Sequence, residues 1–428
     1  MTFLYNQLVF QIPRGTRDFK PDEMQRRRYV EERIRSTFLS FGYREVQTPT
    51  FETLELFTAK SGEEIIDELY SFKDKGGRDL ALRPELTAPV IRFYVGKMQM
   101  ESKPLKLFYI GNCYRYDRPQ KGRYREFTQA GCELIGTDTT EAISELIALA
   151  YTIIKNVGVK DVKLNIGNLT ILSLIFKKFN LNEEQQKYIT PLIDKSKYAD
   201  IFSALRDFDI ESENANLLIE LLQTEDISKI KDFIKDDKKI LDEFSKFKKI
   251  IDLLENSFEI SDFNIKMGIV RGLDYYTGVV FEIEAPALGA EKQLCGGGVY
   301  SLVQMFGGRQ TPTSGFAIGF DRTIVALESE VFNFKKLGLD VYVIPMGEDL
   351  IKDALEIVQL LRKNGISVDW DLLRRGVSKS LKYASSINAK NAIFIGEEEV
   401  NQNSVTIKDL KTGKQEFIEI SNLVKLFK

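Results

Sequence analysis

Histidine is absent from all 428 residues. A chain without imidazole cannot build a Ser-His-Asp or Cys-His catalytic apparatus, nor any metal site held by histidine. Cysteine is nearly as scarce. Cys113, Cys132 and Cys295 lack metal-ligand spacing and are too few for a disulfide framework. Such usage fits a reducing compartment, so a cytoplasmic protein is expected. The longest apolar run, Leu146 to Ile154, is far too short to span a bilayer, and no membrane partner is expected. The opening MTFLYNQLVFQIPRG has no basic residue ahead of its apolar stretch and does not read as a signal peptide. A strong charge excess is also missing. With a formal net charge of −3, any nucleic-acid surface must be a local patch. No GxxxxGK[ST] phosphate loop occurs either. If the chain is an enzyme, its chemistry rests on arginines, carboxylates, a bound ion or the substrate itself.

What is present has the composition of a folded protein, 43% apolar and 29% charged, at a length sufficient for two or three domains. From Pro21 a helical pattern puts Val30, Ile34, Phe38 and Phe41 on one face and stops at Gly42. YREVQTPTFE reads as a strand with Pro49 near its end, KDKGGRD as the turn of a strand pair, and Thr140 to Asn156 as a helix. Between about 171 and 262 the residues turn to Lys, Glu, Asp, Leu and Ile at helical spacing, as in a helical insertion. Strand character resumes at GLDYYTGVVFEIEAP and QLCGGGVYSLVQMFGG, and GFAIGFDRTIVALES reads as a strand entering a helix. Residues 337–428 alternate LDVYVIP, DLIKDALEIVQLLRKNG, ISVDWD, VSKSLKYASSINA and NAIFIG, which predicts a small α/β domain.

The stretch RYDRPQKGRYREFTQAGCE, residues 115–133, runs a basic loop straight into a strand. Alternation puts Phe127, Gln129, Gly131 and Glu133 on one face. A core face would not carry an amide and a carboxylate around a glycine. A pocket floor would, with the glycine leaving room for a ligand and the Phe offering a stacking surface. Arg115 falls where it could reach the same pocket, and Arg118, Lys121, Arg123 and Arg125 suit phosphates. The competing reading is a solvated hairpin with a structural ion pair. LRPELT supplies Glu85, Leu86 and Thr87, which alone read as a strand end and helix cap. RGLDYYTG puts Arg271 five residues before Tyr276; a surface turn is its plainer reading. In GFAIGFDR, small residues permit close approach to a planar ligand and Arg322 follows at a helix start, although a tight strand-helix corner would look the same. VSKS at Val377–Ser380 is read as part of a helix with Arg375, Lys379 and Lys382 on one face, a candidate RNA surface or a merely solvated one.

LRPELTAP, RYDRPQKGRYREFTQAGCELIG, RGLDYYTGVVFEI and GFAIGFDR, in this order and spacing, resemble the histidyl-tRNA synthetases, and YREVQTPTFE is similar to motif 1 of class II synthetases. The resemblance covers nearly the whole chain. It implies an α+β protein: a class II catalytic domain over 1–325, with an antiparallel sheet of six or seven strands and a helical insertion, followed by an anticodon-binding α/β domain over 337–428. A homodimer formed through the Pro21–Gly42 helix and motif 1 is also implied. The implied activity is ATP-dependent ligation of L-histidine to histidine tRNA through a histidyl-adenylate, with ATP as substrate and Mg2+ bound mainly through its phosphates. No metal ligand from histidine or cysteine is expected. Glu85, Thr87 and Gln129 would hold the substrate ammonium, beside Leu86; Glu133 and Tyr276, with Tyr275 nearby, the imidazole. Arg271 and Arg115 would be catalytic, Arg271 gripping the substrate carboxylate and both arginines the α-phosphate. Arg123 would take the γ-phosphate, Phe127 would stack on adenine, and Arg322 would serve adenine and the γ-phosphate. Gln120 and Arg125 would reach tRNA, as would Arg375, Lys379 and Lys382. Asp117 departs from a common glutamate, and Thr128 from a frequent histidine. The alternative is the synthetase-like regulatory subunit of ATP phosphoribosyltransferase. It tends to lack the catalytic arginine and the anticodon domain, both of which have matches here.

Overall fold

Pro49 decides how the chain leaves its first helix. In the computed structural model, which describes residues 10–61, 63–118, 122–224, 237–270, 276–289, 292–335 and 338–427, YREVQTPTFE is not one strand. Arg44–Glu45 pairs in parallel with Leu105–Tyr114, while Phe51–Thr53 pairs with Asp79–Leu82 in a separate sheet of three strands. A proline has no N–H for a ladder, so the run breaks where the chain changes sheets. Arg83, almost wholly buried, holds the corner by donating Nη1 to the carbonyls of Thr48 (2.8 Å) and Pro49 (3.1 Å).

One compact unit ends at Phe332 and a second begins at Asn333. The main sheet of the first has the order Arg44–Glu45, Leu105–Tyr114, Glu126–Ile135, Thr313–Gly319, Gln293–Tyr300, Tyr276–Glu284, Lys163–Asn168, Phe263–Ile265. Its six central strands are antiparallel and both edge strands join in parallel. Among the described residues this makes eight strands rather than the six or seven expected, because edge strands of two and three residues are too short to show alternation.

The helices Pro21–Ser40 and Thr140–Val157 pack against each other. Val30, Ile34 and Phe38 are fully buried, and Phe38 stacks on Phe108 of the sheet with centroids 4.8 Å apart. The second helix has a signal at each end: Thr139 accepts from the Ala142 N–H, and Gly158 closes it at φ 109. Between the two last strands of the sheet order lie Leu169–Lys178, Glu183–Asp194, Tyr198–Asp207, Ser212–Gln223 and Lys238–Asn256, so the helical stretch is bracketed by sheet on both sides.

The second unit holds a five-stranded sheet in the order Val368–Trp370, Val341–Pro345, Asn391–Ile395, Ser404–Asp409, Gln415–Glu419. The first three strands are parallel, and an antiparallel hairpin absent from the expected pattern extends the sheet. Helix Ile351–Lys363 buries Ala354, Ile357, Val358 and Leu361 in its core.

Candidate active site

The antiparallel pairing of Leu105–Tyr114 with Glu126–Ile135 continues into Arg115, whose N–H donates to the Arg125 carbonyl at 2.9 Å. With Thr313–Gly319, Gln293–Tyr300 and Tyr276–Glu284 as the next strands, the sheet forms the floor of a cavity of about 530 Å³. Glu85, Thr87, Arg115, Arg123, Phe127, Gln129, Tyr276 and Arg322 all line it. Residues about 240 positions apart in sequence thus meet because the sheet order interleaves distant segments. Arg271, Tyr275, Gln120 and Lys121 lie outside the described residues.

Each wall residue is held by a partner. The Glu85 carboxylate accepts from the N–H groups of Thr87 (2.7 Å) and Ala88 (3.0 Å), capping helix Thr87–Lys97 while lining the cavity. Gln129 Oε1 accepts from the Leu86 N–H at 3.1 Å, which fixes the amide against that helix start. Arg115 donates Nε to the Pro84 carbonyl at 3.0 Å and sets its guanidinium 5.4 Å from the Phe127 ring centroid. Arg123 grips Asp117 through Nε (2.9 Å) and Nη2 (3.1 Å), a two-point bond that also braces the loop. Arg322 donates Nη1 to the Gln293 carbonyl at 3.0 Å. Arg125 instead turns to the Asp117 carbonyl (3.2 Å) and lies 4.0 Å from the Tyr116 ring centroid.

Below this floor sits a buried acid. Glu133 is 1% exposed, and its oxygens accept from the hydroxyls of Tyr109 (3.0 Å) and Tyr300. Burial outweighs these hydrogen bonds and pushes its carboxyl up to about 8. The room expected beside Gly131 is not ligand space. Tyr109 occupies it, its hydroxyl only 2.6 Å from where a Cβ would stand. Gly315, across the ladder from Glu133, is equally constrained, since a Cβ there would meet Glu133 Oε2 at 2.0 Å. Tyr276 continues the aromatic wall, with its ring 6.1 Å from that of Tyr300.

Tyr109, Tyr300 and Asp321 carry no role in the sequence reading. Tyr300 could have been found as the residue closing LCGGGVY, and Asp321 as the acid inside GFDR. In the second unit Arg375 precedes, rather than belongs to, helix Val377–Ser386, because Gly376 is its N-cap. Arg375 pairs with buried Asp371 at 2.8 Å and stacks over Tyr383 at 4.2 Å. Lys379 and Lys382 are exposed on the helix.

The family model described as histidyl-tRNA synthetase matches residues 15–323, and that described as anticodon binding domain matches 340–428. The chain belongs to the histidyl-tRNA synthetase family. A histidine–tRNA ligase of Methanocaldococcus jannaschii is 44% identical over 420 residues, 97% of this chain and 99% of that protein. The apo histidyl-tRNA synthetase of S. aureus superposes with a TM-score of 0.73 at 29% identity, covering 98% of this chain and 100% of that one. A Bacillus halodurans structure described as an ATP phosphoribosyltransferase regulatory subunit/histidyl-tRNA synthetase gives 0.78 at 26% identity, over 90% of this chain and 98% of its own. Among the described residues no helix of this synthetase-family chain is long and apolar enough to cross a membrane.

Proposed function

We infer that the chain ligates L-histidine to the 3′ end of histidine tRNA at the expense of ATP, through a histidyl-adenylate. The observation that carries this is one cavity in which three arginines, Arg115, Arg123 and Arg322, meet an amide and carboxylates set on helix and strand ends. Attack of the histidine carboxylate on the α-phosphorus breaks the bond to the bridging oxygen of the β-phosphate and releases pyrophosphate; it needs no general base, because the nucleophile is already an anion. Alignment and cationic stabilisation of the phosphorane are the whole task. Glu85, Thr87 and Gln129 would receive the ammonium, and Leu86 is the backbone that seats Gln129. Glu133 acts on the ring from below through Tyr300 and beside Tyr276. Arg123 and Arg322 take the γ-phosphate, Phe127 the adenine. Arg271, assigned on resemblance alone, joins Arg115 at the α-phosphate.

Mg2+ would arrive with ATP. Asp117 and Asp321 in the cavity wall are each held by arginine, a set better suited to phosphate-borne Mg2+ than to an ion caged by protein. The unit from Asn333 onward would read the anticodon through Lys379, Lys382 and Arg375. A homodimer in the cytoplasm completes the reading. Amino-acid-dependent ATP–pyrophosphate exchange across the twenty amino acids tests it: only histidine should support exchange. Exchange with none, together with stimulation of an ATP phosphoribosyltransferase, would instead establish the regulatory-subunit reading. Arg271→Ala should slow adenylate formation on the order of a hundredfold.

A further inference from the structure

The segment ahead of the first helix runs along the rim of the cavity. Gly15 accepts at its carbonyl from the Arg125 N–H at 2.9 Å. Its Cα lies so close beneath the Arg125 side chain that a Cβ would come within 2.7 Å of Cγ and Cδ, at a φ of +86 where only glycine is at ease. Two residues on, the Arg17 guanidinium lies 3.3 Å from the Tyr124 ring centroid and donates Nη2 to Asp321 at 2.7 Å. Asp321, 4% exposed, also takes Arg27 on the same oxygen, and its other oxygen accepts from the Thr128 N–H at 2.7 Å. Arg27 closes the ring by donating to the Thr128 hydroxyl at 2.7 Å.

These contacts gather the returning limb of the basic loop, which runs straight into the strand carrying Phe127, and the helix start carrying Arg322, which follows the neighbouring strand Thr313–Gly319. Tyr124 is the neighbour of Arg123, and Asp321 of Arg322. The loop and the helix start also meet directly, since Arg322 approaches the Gly122 carbonyl at 3.5 Å. Arg17 therefore holds, through one residue on each side, the two guanidiniums assigned to the ATP phosphates. One carboxylate facing two arginines leaves the cluster with a net positive charge beside that site. We propose that Arg17 is a positioning residue for ATP, setting the spacing of Arg123 and Arg322 by clamping Tyr124 and Asp321 together.

The proposal rests on the synthetase reading, and its test separates the two. Arg17→Ala and Arg17→Lys are compared with wild type by histidine-dependent pyrophosphate exchange, and ATP binding is measured in parallel by equilibrium dialysis without histidine. Arg17→Ala should raise the KM and Kd for ATP by about tenfold or more, with the KM for histidine within about twofold. Arg17→Lys keeps the charge but loses the planar stack, so its ATP values should fall between. Arg26→Ala breaks the exposed pair between Arg26 of the first helix and Glu328 of helix Phe320–Ser329, and should leave both constants unchanged. A merely structural role would lower the active fraction without splitting the two substrates. ATP constants within about twofold of wild type in Arg17→Ala, or constants for ATP and histidine that rise together, would overturn the proposal. If Arg17→Ala does not fold, Arg17→Lys decides by the same split, and wild-type values there would overturn it. A wild-type protein without histidine-dependent exchange sinks the activity reading, while dialysis still reads the clamp.

Discussion

Replacing Glu133 by glutamine should make the ligand-free protein more stable and less active at the same time. The carboxyl is 1% exposed and titrates at about 8 rather than its ordinary 4.5. A carboxyl raised in this way contributes stability that is fully present below pH 4.5 and is lost as pH climbs through 8. Each pH unit in that window is worth about 1.4 kcal/mol, so roughly 3 kcal/mol has gone by pH 7. Glutamine carries no charge to desolvate, and its amide can still accept from one tyrosine hydroxyl and donate to the other. The gap between Glu133→Gln and wild type should therefore widen by about 3 kcal/mol between pH 5 and pH 8, or roughly 3–5 °C in Tm for a unit of this size. Near-UV circular dichroism melts at the two pH values read this directly. Activation of histidine should fall meanwhile, because an acid placed against its own solvation is strain kept for binding. Parallel Tm profiles for the two proteins would refute the reasoning, since Glu133 would then be ionised in the fold at no cost.

The same acid predicts the shape of the pH–rate profile. With no imidazole in the chain, kcat/KM for adenylate formation should show one step at about 6.5 from the substrate ring and another near 8 from Glu133. Triazolylalanine should move only the first step, and Glu133→Gln should abolish only the second. Asp321→Asn should cost about 3–5 kcal/mol in denaturant melts by stranding Arg17 and Arg27, and a loss under about 1 kcal/mol would show that the arginines find other partners. A chain ending near Leu337 should still form histidyl-adenylate but charge tRNA poorly; unimpaired charging at equal tRNA concentration would show the second unit to be dispensable.

How far the molecule was legible from its sequence follows the range of each signal. Helix Thr140–Val157 has a cap, a periodic face and a terminal glycine within one stretch, and such an element can be read unaided. Phe127 and Gln129 were readable as pocket residues because strand alternation is also local. Glu133 obeys the same alternation yet is roofed over, since what covers it is Tyr300, 167 residues away in sequence. Gly131 was misjudged for the same reason: its space belongs to Tyr109 on the paired strand. Asp321 looks like any first-turn acid of a helix until Arg17 and Arg27 arrive from some 300 residues upstream. Long-range partners leave no periodic trace.

The parallel pairing of Lys163–Asn168 with Phe263–Ile265 limits how this protein could be shortened. Two parallel neighbours cannot be joined by a tight turn; the chain must travel back along the sheet, which takes about a dozen residues or more. Part of what lies between them is therefore a strut, not ornament. Helix Lys238–Asn256 is well placed to be that strut: Glu243 accepts from the Asn168 amide at 3.0 Å, and the Ile250 carbonyl accepts from the Ser144 hydroxyl at 3.3 Å. The two shorter helices Glu183–Asp194 and Ser212–Gln223 before it are not idle cargo either. Ile193 and Leu222 stand against Gly268, where an added Cβ would meet them at 3.6 and 4.0 Å. Gly268 is three residues upstream of Arg271. A minimised version that discards those helices while keeping the strut would remove a buttress from the segment leading to the proposed catalytic Arg271, and would be expected to fold better than it works.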